Sequence, residues 1–197
     1  MNFFKFRKLK KEVIPLLIQG KIGILPTDTL YGLVGQALQR GSVERIYAVR
    51  QRNPKKPCII LISSIDDLQL FKIKINPLQE KVLQNVWPGQ VSVILDCEQG
   101  EFDYLHRGTK TLAFRLPKEN WLRRLLTITG PLVAPSANPE GESPAIDILQ
   151  AKAYFGENVD FYFDFGCILA EPSTLMELGK GGEISVLRGA IAKMKTG

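Results

Sequence analysis

Histidine and cysteine are scarce in this chain: one His106, and only Cys58, Cys97 and Cys167 among 197 residues. The cysteines lie 39 and 70 positions apart. That excludes a Cys-x-x-Cys pair, zinc-ligand spacing and an even-numbered disulfide framework. A single histidine argues against a His-built metal site, and His106, next to Arg107, reads as a surface loop residue. No apolar run approaches the roughly 18 residues of a membrane span. Five cations interrupt the first twelve residues before a signal-peptide core could form. There is no Walker-type glycine loop, and Gly32-x-x-Gly35 is too sparse for one, so any grip on phosphate must come from side chains. No internal repeat, low-complexity tract or Gly/Ser linker divides the sequence. Its length fits one core, and the expectation is a single cytoplasmic domain over 1–197.

What the chain does have is unevenly placed charge. The net +6 divides into twelve Lys/Arg against three Asp/Glu in residues 1–56, and fourteen against seventeen in 57–197. The front is therefore +9 and the rest −3. Two clusters make up much of the front: Lys5, Arg7, Lys8, Lys10 and Lys11, then Arg45, Arg50, Arg52, Lys55 and Lys56. The first falls at the start of a helix, the unfavourable end of its dipole for cations, and reads as a solvated face.

Short runs rich in Ile, Val and Leu predict strands at 21–25, 58–62, 91–95, 112–116, 131–134, 159–163, 174–178 and 184–187. Helical spacing and caps predict helices at 8–19, 43–50, 78–86, 121–128 and 145–155. Alternating elements of this kind predict an α/β fold around a sheet of mixed direction.

Three segments at predicted strand or helix ends carry chemistry. Pro26-Thr27-Asp28-Thr29-Leu30-Tyr31-Gly32-Leu33 crowds hydroxyls and a carboxylate at a strand end, where open α/β sheets place ligands. It reads either as a capped turn or as a polar-substrate site using Thr27, Thr29 and Tyr31. Arg50-Gln51-Arg52-Asn53-Pro54-Lys55-Lys56-Pro57 gathers four cations where Pro54 forces the chain out of helical geometry. Such a group either splays into water or closes on a polyanion such as a triphosphate. Pro135-Ser136-Ala137-Asn138-Pro139-Glu140-Gly141 builds an Asx-type turn or offers hydroxyl and amide to a ligand. Ser173 and Arg188 lie in weaker versions of the same pattern.

In their order along the chain, PTDTLYGL, RQRNPKKP, WPGQVSVIL, LAFRLP, PSANPEGESP, EPSTLMEL and ISVLRGAI resemble the YrdC family of threonylcarbamoyl-adenylate synthases, over about 22–191. The resemblance implies a YrdC-like fold of its short single-domain form: a twisted mixed β-sheet with flanking helices enclosing a basic concave groove. It implies a nucleotidyltransferase that makes threonylcarbamoyl-AMP and pyrophosphate from L-threonine, bicarbonate and ATP, with Mg2+ carried by the nucleotide. A separate threonylcarbamoyl-transferase would then use the product to modify tRNA. Carried over by position, Thr27, Tyr31 and Arg115 would meet threonine. Arg50, Arg52 and Lys56 would handle the phosphates and bicarbonate, Arg50 and Arg52 as catalytic residues. Ser136, Asn138, Ser173 and Arg188 would be further nucleotide contacts.

The chain departs from the family pattern at Arg50, where Lys is usual, and at Pro135, where Thr or Ser is common. A paralogous branch of the same fold also has Arg at the first basic position, but lacks a clear Ser-x-Asn. A non-catalytic RNA-binding protein using the basic groove on phosphates is the alternative from a different class, and weak tRNA binding is compatible with either.

Overall fold

The computed structural model describes residues 3–190. Strand β1, Gly23–Pro26, turns back at once into β2, Tyr31–Gln36, pairing Leu25 with Gly32 and Pro26 with Tyr31. The sequence reading has a loop where β2 runs. Gly32 and Gly35 thin the apolar pattern there and hide the strand. Then come β3 Ile59–Leu61, β4 Val91–Asp96, β5 Thr111–Arg115, β6 Leu132–Val133, β7 Phe161–Tyr162, β8 Thr174–Leu178 and β9 Ile184–Arg188. These nine form one mixed, twisted open sheet among the described residues, in the order β7-β1-β2-β6-β3-β5-β4-β8-β9.

Helix α1 spans Phe3–Glu12 and α2 Ile14–Ile18. The sequence reading joins them as one helix. Pro15, in the first turn of α2, lacks the N–H that continuation would need. Helices α3 Arg40–Arg50, α4 Pro77–Val86, α5 Asp103–His106, α6 Asn120–Thr129 and α7 Ile148–Phe155 follow. Asn76 caps α4, its side chain accepting from the N–H groups of Leu78 and Gln79 at 3.0 Å each. Helix α7 starts at Ile148 rather than 145, because Asp147 is the residue whose carboxylate accepts from the Gln150 N–H, at 2.8 Å. A 3-10 helix, Ile65–Phe71, has no counterpart in the sequence reading. His106 is buried, its Nδ1 accepting from the Gly108 N–H at 3.1 Å, which corrects its assignment to the surface.

Neighbouring strand residues feed opposite faces of the sheet. Ile24, Leu33, Ile60 and Val133 join the larger core with α3, α4 and α7. Leu25, Val34, Leu61 and Leu132 join a smaller core with Leu9, Leu17, Leu122 and Leu125 from α1, α2 and α6. Gly35 lets α3 approach β2, since a Cβ there would lie 2.9 Å from Ile22 and 3.1 Å from Ile46. Cys58, Cys97 and Cys167 are all free thiols.

Candidate active site

Next to the smaller core lies a cavity of about 560 Å3, and Ile59 and Ala134 belong to both. The β1–β2 turn forms one wall. Thr27 builds that turn: its hydroxyl donates to the Leu30 carbonyl at 2.7 Å and accepts from the N–H groups of Thr29 and Leu30 at 3.2 Å each. Thr27 also lines the cavity, so its part in the turn leaves it beside that space. Tyr31 is fully buried as a residue and touches the cavity. Its phenol donates to the Gly166 carbonyl at 2.7 Å and accepts from the Phe165 N–H at 2.9 Å, and burial pushes its pKa up.

Arg115 ends β5 beneath that turn. Its Nη2 pairs with Asp28 Oδ1 at 3.1 Å and its Nη1 donates to Thr29 at 3.2 Å, while the buried Nε has no acceptor. The sequence offers Asp28 as a cap of the turn and not as a site residue; in the fold its side chain is 2% exposed against Arg115. Burial pulls the Arg115 guanidinium below its ordinary range, and the Asp28 carboxylate offsets only part of that. A buried guanidinium with an open N–H is a ready receptor for one more carboxylate or phosphate oxygen.

Arg52, just past the end of α3, and Arg188, on β9, also line the cavity. Arg188 donates from Nε and Nη2 to the Ser173 carbonyl at 3.2 and 3.0 Å, and the Ser173 hydroxyl lies 2.9 Å from that of Ser92. Three guanidiniums and one carboxylate, Glu177, therefore line the cavity, an arrangement suited to a polyanion.

Thr27, Tyr31, Arg52, Arg115, Ser136, Ser173 and Arg188 share the cavity, whereas Arg50, Lys56 and Asn138 do not line it. Arg50 is buried behind it. Its Nε donates to the Asn138 carbonyl at 2.7 Å, and its Nη2 reaches Asn138 Oδ1 at 3.3 Å and Ser136 Oγ at 3.4 Å. Burial, reinforced by Arg52, lowers the Arg50 pKa to about 10. Asn138 spends its amide on the carbonyls of Pro139 and Glu142, at 2.9 and 2.7 Å. The first basic residue and the Ser-x-Asn element thus form one cluster that holds Ser136 at the wall. Lys56 is 60% exposed and pairs with Glu140 at 2.6 Å, an interaction that also holds the Glu140 carboxyl below its usual range.

Sequence reasoning missed Thr111, Ala113 and Glu177, which line the cavity with Ile94. The signal was available on β5, where residues 111, 113 and 115 alternate onto one face. Glu177 needed the register: only the pairing of β8 with β4 places it beside Ile94.

Comparison with known proteins bears on the family and the fold. The Sua5/YciO/YrdC family model, described as telomere recombination, matches residues 15–190. A threonylcarbamoyl-AMP synthase of Chromohalobacter salexigens is 31% identical over 172 residues, 86% of this chain and 92% of its own. One of Marinobacter nauticus is 30% identical over 149 residues, covering 73% of this chain and 77% of the relative. The crystal structure of P. abyssi Sua5 complexed with L-threonine superposes with a TM-score of 0.83 at 26% identity, over 95% of this chain but 54% of that one. The structure of E. coli YciO shares the fold, with a TM-score of 0.81 at 22% identity over 96% of this chain and 92% of its own. With the same fold in solved relatives and a family match over nearly its whole length, this chain belongs to the Sua5/YciO/YrdC family.

Proposed function

We propose that the chain, acting as a single domain, is an L-threonylcarbamoyladenylate synthase, a nucleotidyltransferase that joins L-threonine, bicarbonate and ATP. The observation that carries this reading is the buried Arg115, with an open Nε, in a cavity whose other walls supply Arg52 and Arg188. The relatives named threonylcarbamoyl-AMP synthase and the L-threonine complex of P. abyssi Sua5 support it.

Arg115 receives the threonine carboxylate beside Thr27 and Tyr31. The threonine amine attacks the bicarbonate carbon, and water leaves to give a carbamate. One carbamate oxygen then attacks the α-phosphorus of ATP, the α–β bridge breaks, and pyrophosphate departs with the Mg2+ that entered on the nucleotide. No covalent enzyme intermediate is required, so the protein contributes positioning, ~7–11 kcal/mol in well-oriented cases, and charge stabilisation.

Arg52 and Arg188 stabilise the charge that moves onto the leaving group, with Ser136 and Ser173 as hydroxyl contacts. Arg50 and Asn138 act from behind the wall through Ser136. Lys56 reaches a phosphate only by exchanging Glu140 for it. The product then passes to a threonylcarbamoyl-transferase acting on tRNA, in the cytoplasm. Among the described residues no helix is long and apolar enough to cross a membrane.

The test is pyrophosphate release from ATP and bicarbonate. Release should depend on L-threonine and fall sharply with serine or alanine. Release indifferent to threonine would sink the reading and favour the paralogous branch.

A further inference from the structure

Arg52 reaches the cavity from a loop, immediately beyond a left-handed residue, Gln51 at φ 51°. A long side chain in that position needs support to present its charge in one place. Tyr47, one turn back on α3, supplies it in three ways. Its backbone carbonyl accepts the Arg52 N–H at 3.0 Å, ending the helix. Its phenol donates to the Lys56 carbonyl at 2.8 Å, the same oxygen that accepts Arg52 Nε at 3.0 Å. Its ring centroid lies 6.0 Å from the Arg52 guanidinium carbon, at the edge of cation–π range.

The ring is itself held. Arg107 stands 3.8 Å from its centroid and pairs with Glu44 of the same helix at 3.1 Å. Tyr47 is buried and does not line the cavity, so it cannot touch substrate.

We infer that Tyr47 is a positioning residue for the nucleotide step, setting Arg52 through the shared Lys56 carbonyl and the ring beneath it. The inference rests on the reading that Arg52 meets the ATP phosphates. Because the phenol and Arg52 Nε converge on one carbonyl oxygen, losing the phenol loosens the Lys56 peptide and leaves the bond from Arg52 Nη2 to the Pro57 carbonyl, at 2.8 Å, as the firmer anchor of a less fixed guanidinium.

The test is a double-mutant cycle on Tyr47→Phe and Arg52→Ala, read as ATP affinity by calorimetry and, for Tyr47→Phe, as kcat and KM for both substrates. Tyr47→Phe keeps the ring and removes one hydrogen bond, so ATP affinity should fall on the order of five-fold. The KM for threonine should stay within about two-fold, because Arg115 is untouched. In the Arg52→Ala background the same substitution should change ATP affinity by less than about two-fold, since its effect runs through Arg52. Tyr47→Leu, which also loses the ring, should weaken ATP binding further with threonine again spared.

Parallel losses for ATP and threonine, or a full Tyr47→Phe effect in the Arg52→Ala background, would show a merely structural tyrosine and overturn the inference. So would unchanged ATP affinity in Tyr47→Phe while Arg52→Ala weakens it, leaving the phosphate reading intact. If Arg52→Ala itself leaves ATP affinity unchanged, the phosphate assignment falls and the inference with it.

Discussion

Arg115 shows how one side chain acquires a role that its neighbours in sequence do not supply. It closes a strand, yet its partners Asp28 and Thr29 are more than eighty positions away. Two of its nitrogens are taken by those partners and the third is open, which leaves a directed valence for a carboxylate. Replacing Arg115 by Ala should weaken threonine binding at least about ten-fold, the worth of a charged hydrogen bond, and leave ATP affinity within about two-fold. Calorimetry with each substrate alone checks this; equal losses would mean that Arg115 does not face threonine. Because Arg115→Ala strands the Asp28 carboxylate in a buried place, thermal stability should fall too. Adding Asp28→Asn should recover part of that stability without recovering threonine.

At the scale of elements, the site depends on a few ties between parts distant in the chain. The loop after α3 is stitched to the 136–140 loop by Arg50 with Asn138, Lys56 with Glu140, and the Glu140 N–H to the Arg50 carbonyl at 2.9 Å. At the other edge, Asp160 accepts the Ile22 N–H at 2.9 Å and an ion pair from Arg45 on α3, joining β1, α3 and the approach to β7. Burial alone would raise the Asp160 carboxyl, but the Ile22 N–H and Arg45 hold it below its ordinary value of 3.8. Below 3.8 the unfolded chain therefore binds a proton before the folded one does, so stability rises with pH through that window. The Asp160 contribution is complete above 3.8 and is lost as pH falls through the depressed folded value. Urea unfolding should show Asp160→Asn less stable than the parent at pH 5, with the gap closing as pH drops below 3.8. A gap independent of pH would remove Asp160 from the acid limb.

For the molecule as a whole, the charge imbalance is resolved by folding. The +9 front and the −3 remainder contribute to the same cavity and the same ion pairs. Arg52 from the front meets Arg115 and Arg188 from the rest around one cavity, while Arg45 and Lys56 pair with acids from far along the chain. A ligand that bridges such a cavity should stabilise the fold by mass action. MgATP at about one hundred times its Kd should add ~2.7 kcal/mol, or about 5–10 °C in the unfolding midpoint of a chain of this size. Differential scanning should find that shift reduced in Arg52→Ala and kept in Arg115→Ala. Loss of the shift in both would mean that the two arginines bind the same ligand.

The α/β class, most strands and helices, and the three polar segments were legible in the sequence, because period, caps and turn residues are local properties. The strand β2 was not, since its glycines break the pattern that burial would otherwise impose. Local chemistry also marked Thr27, Tyr31, Arg52, Ser136, Ser173 and Arg188, and the family resemblance added Arg115; all seven share the cavity. It could not separate them from Arg50, Lys56 and Asn138, because whether a polar group faces a ligand or another protein group depends on what lies opposite. Residue types and spacings by themselves thus determined the elements and the stock of charges. The pairing of β8 with β4 and the burial of Asp28 against Arg115 decided which charges pair within the fold and which line the cavity.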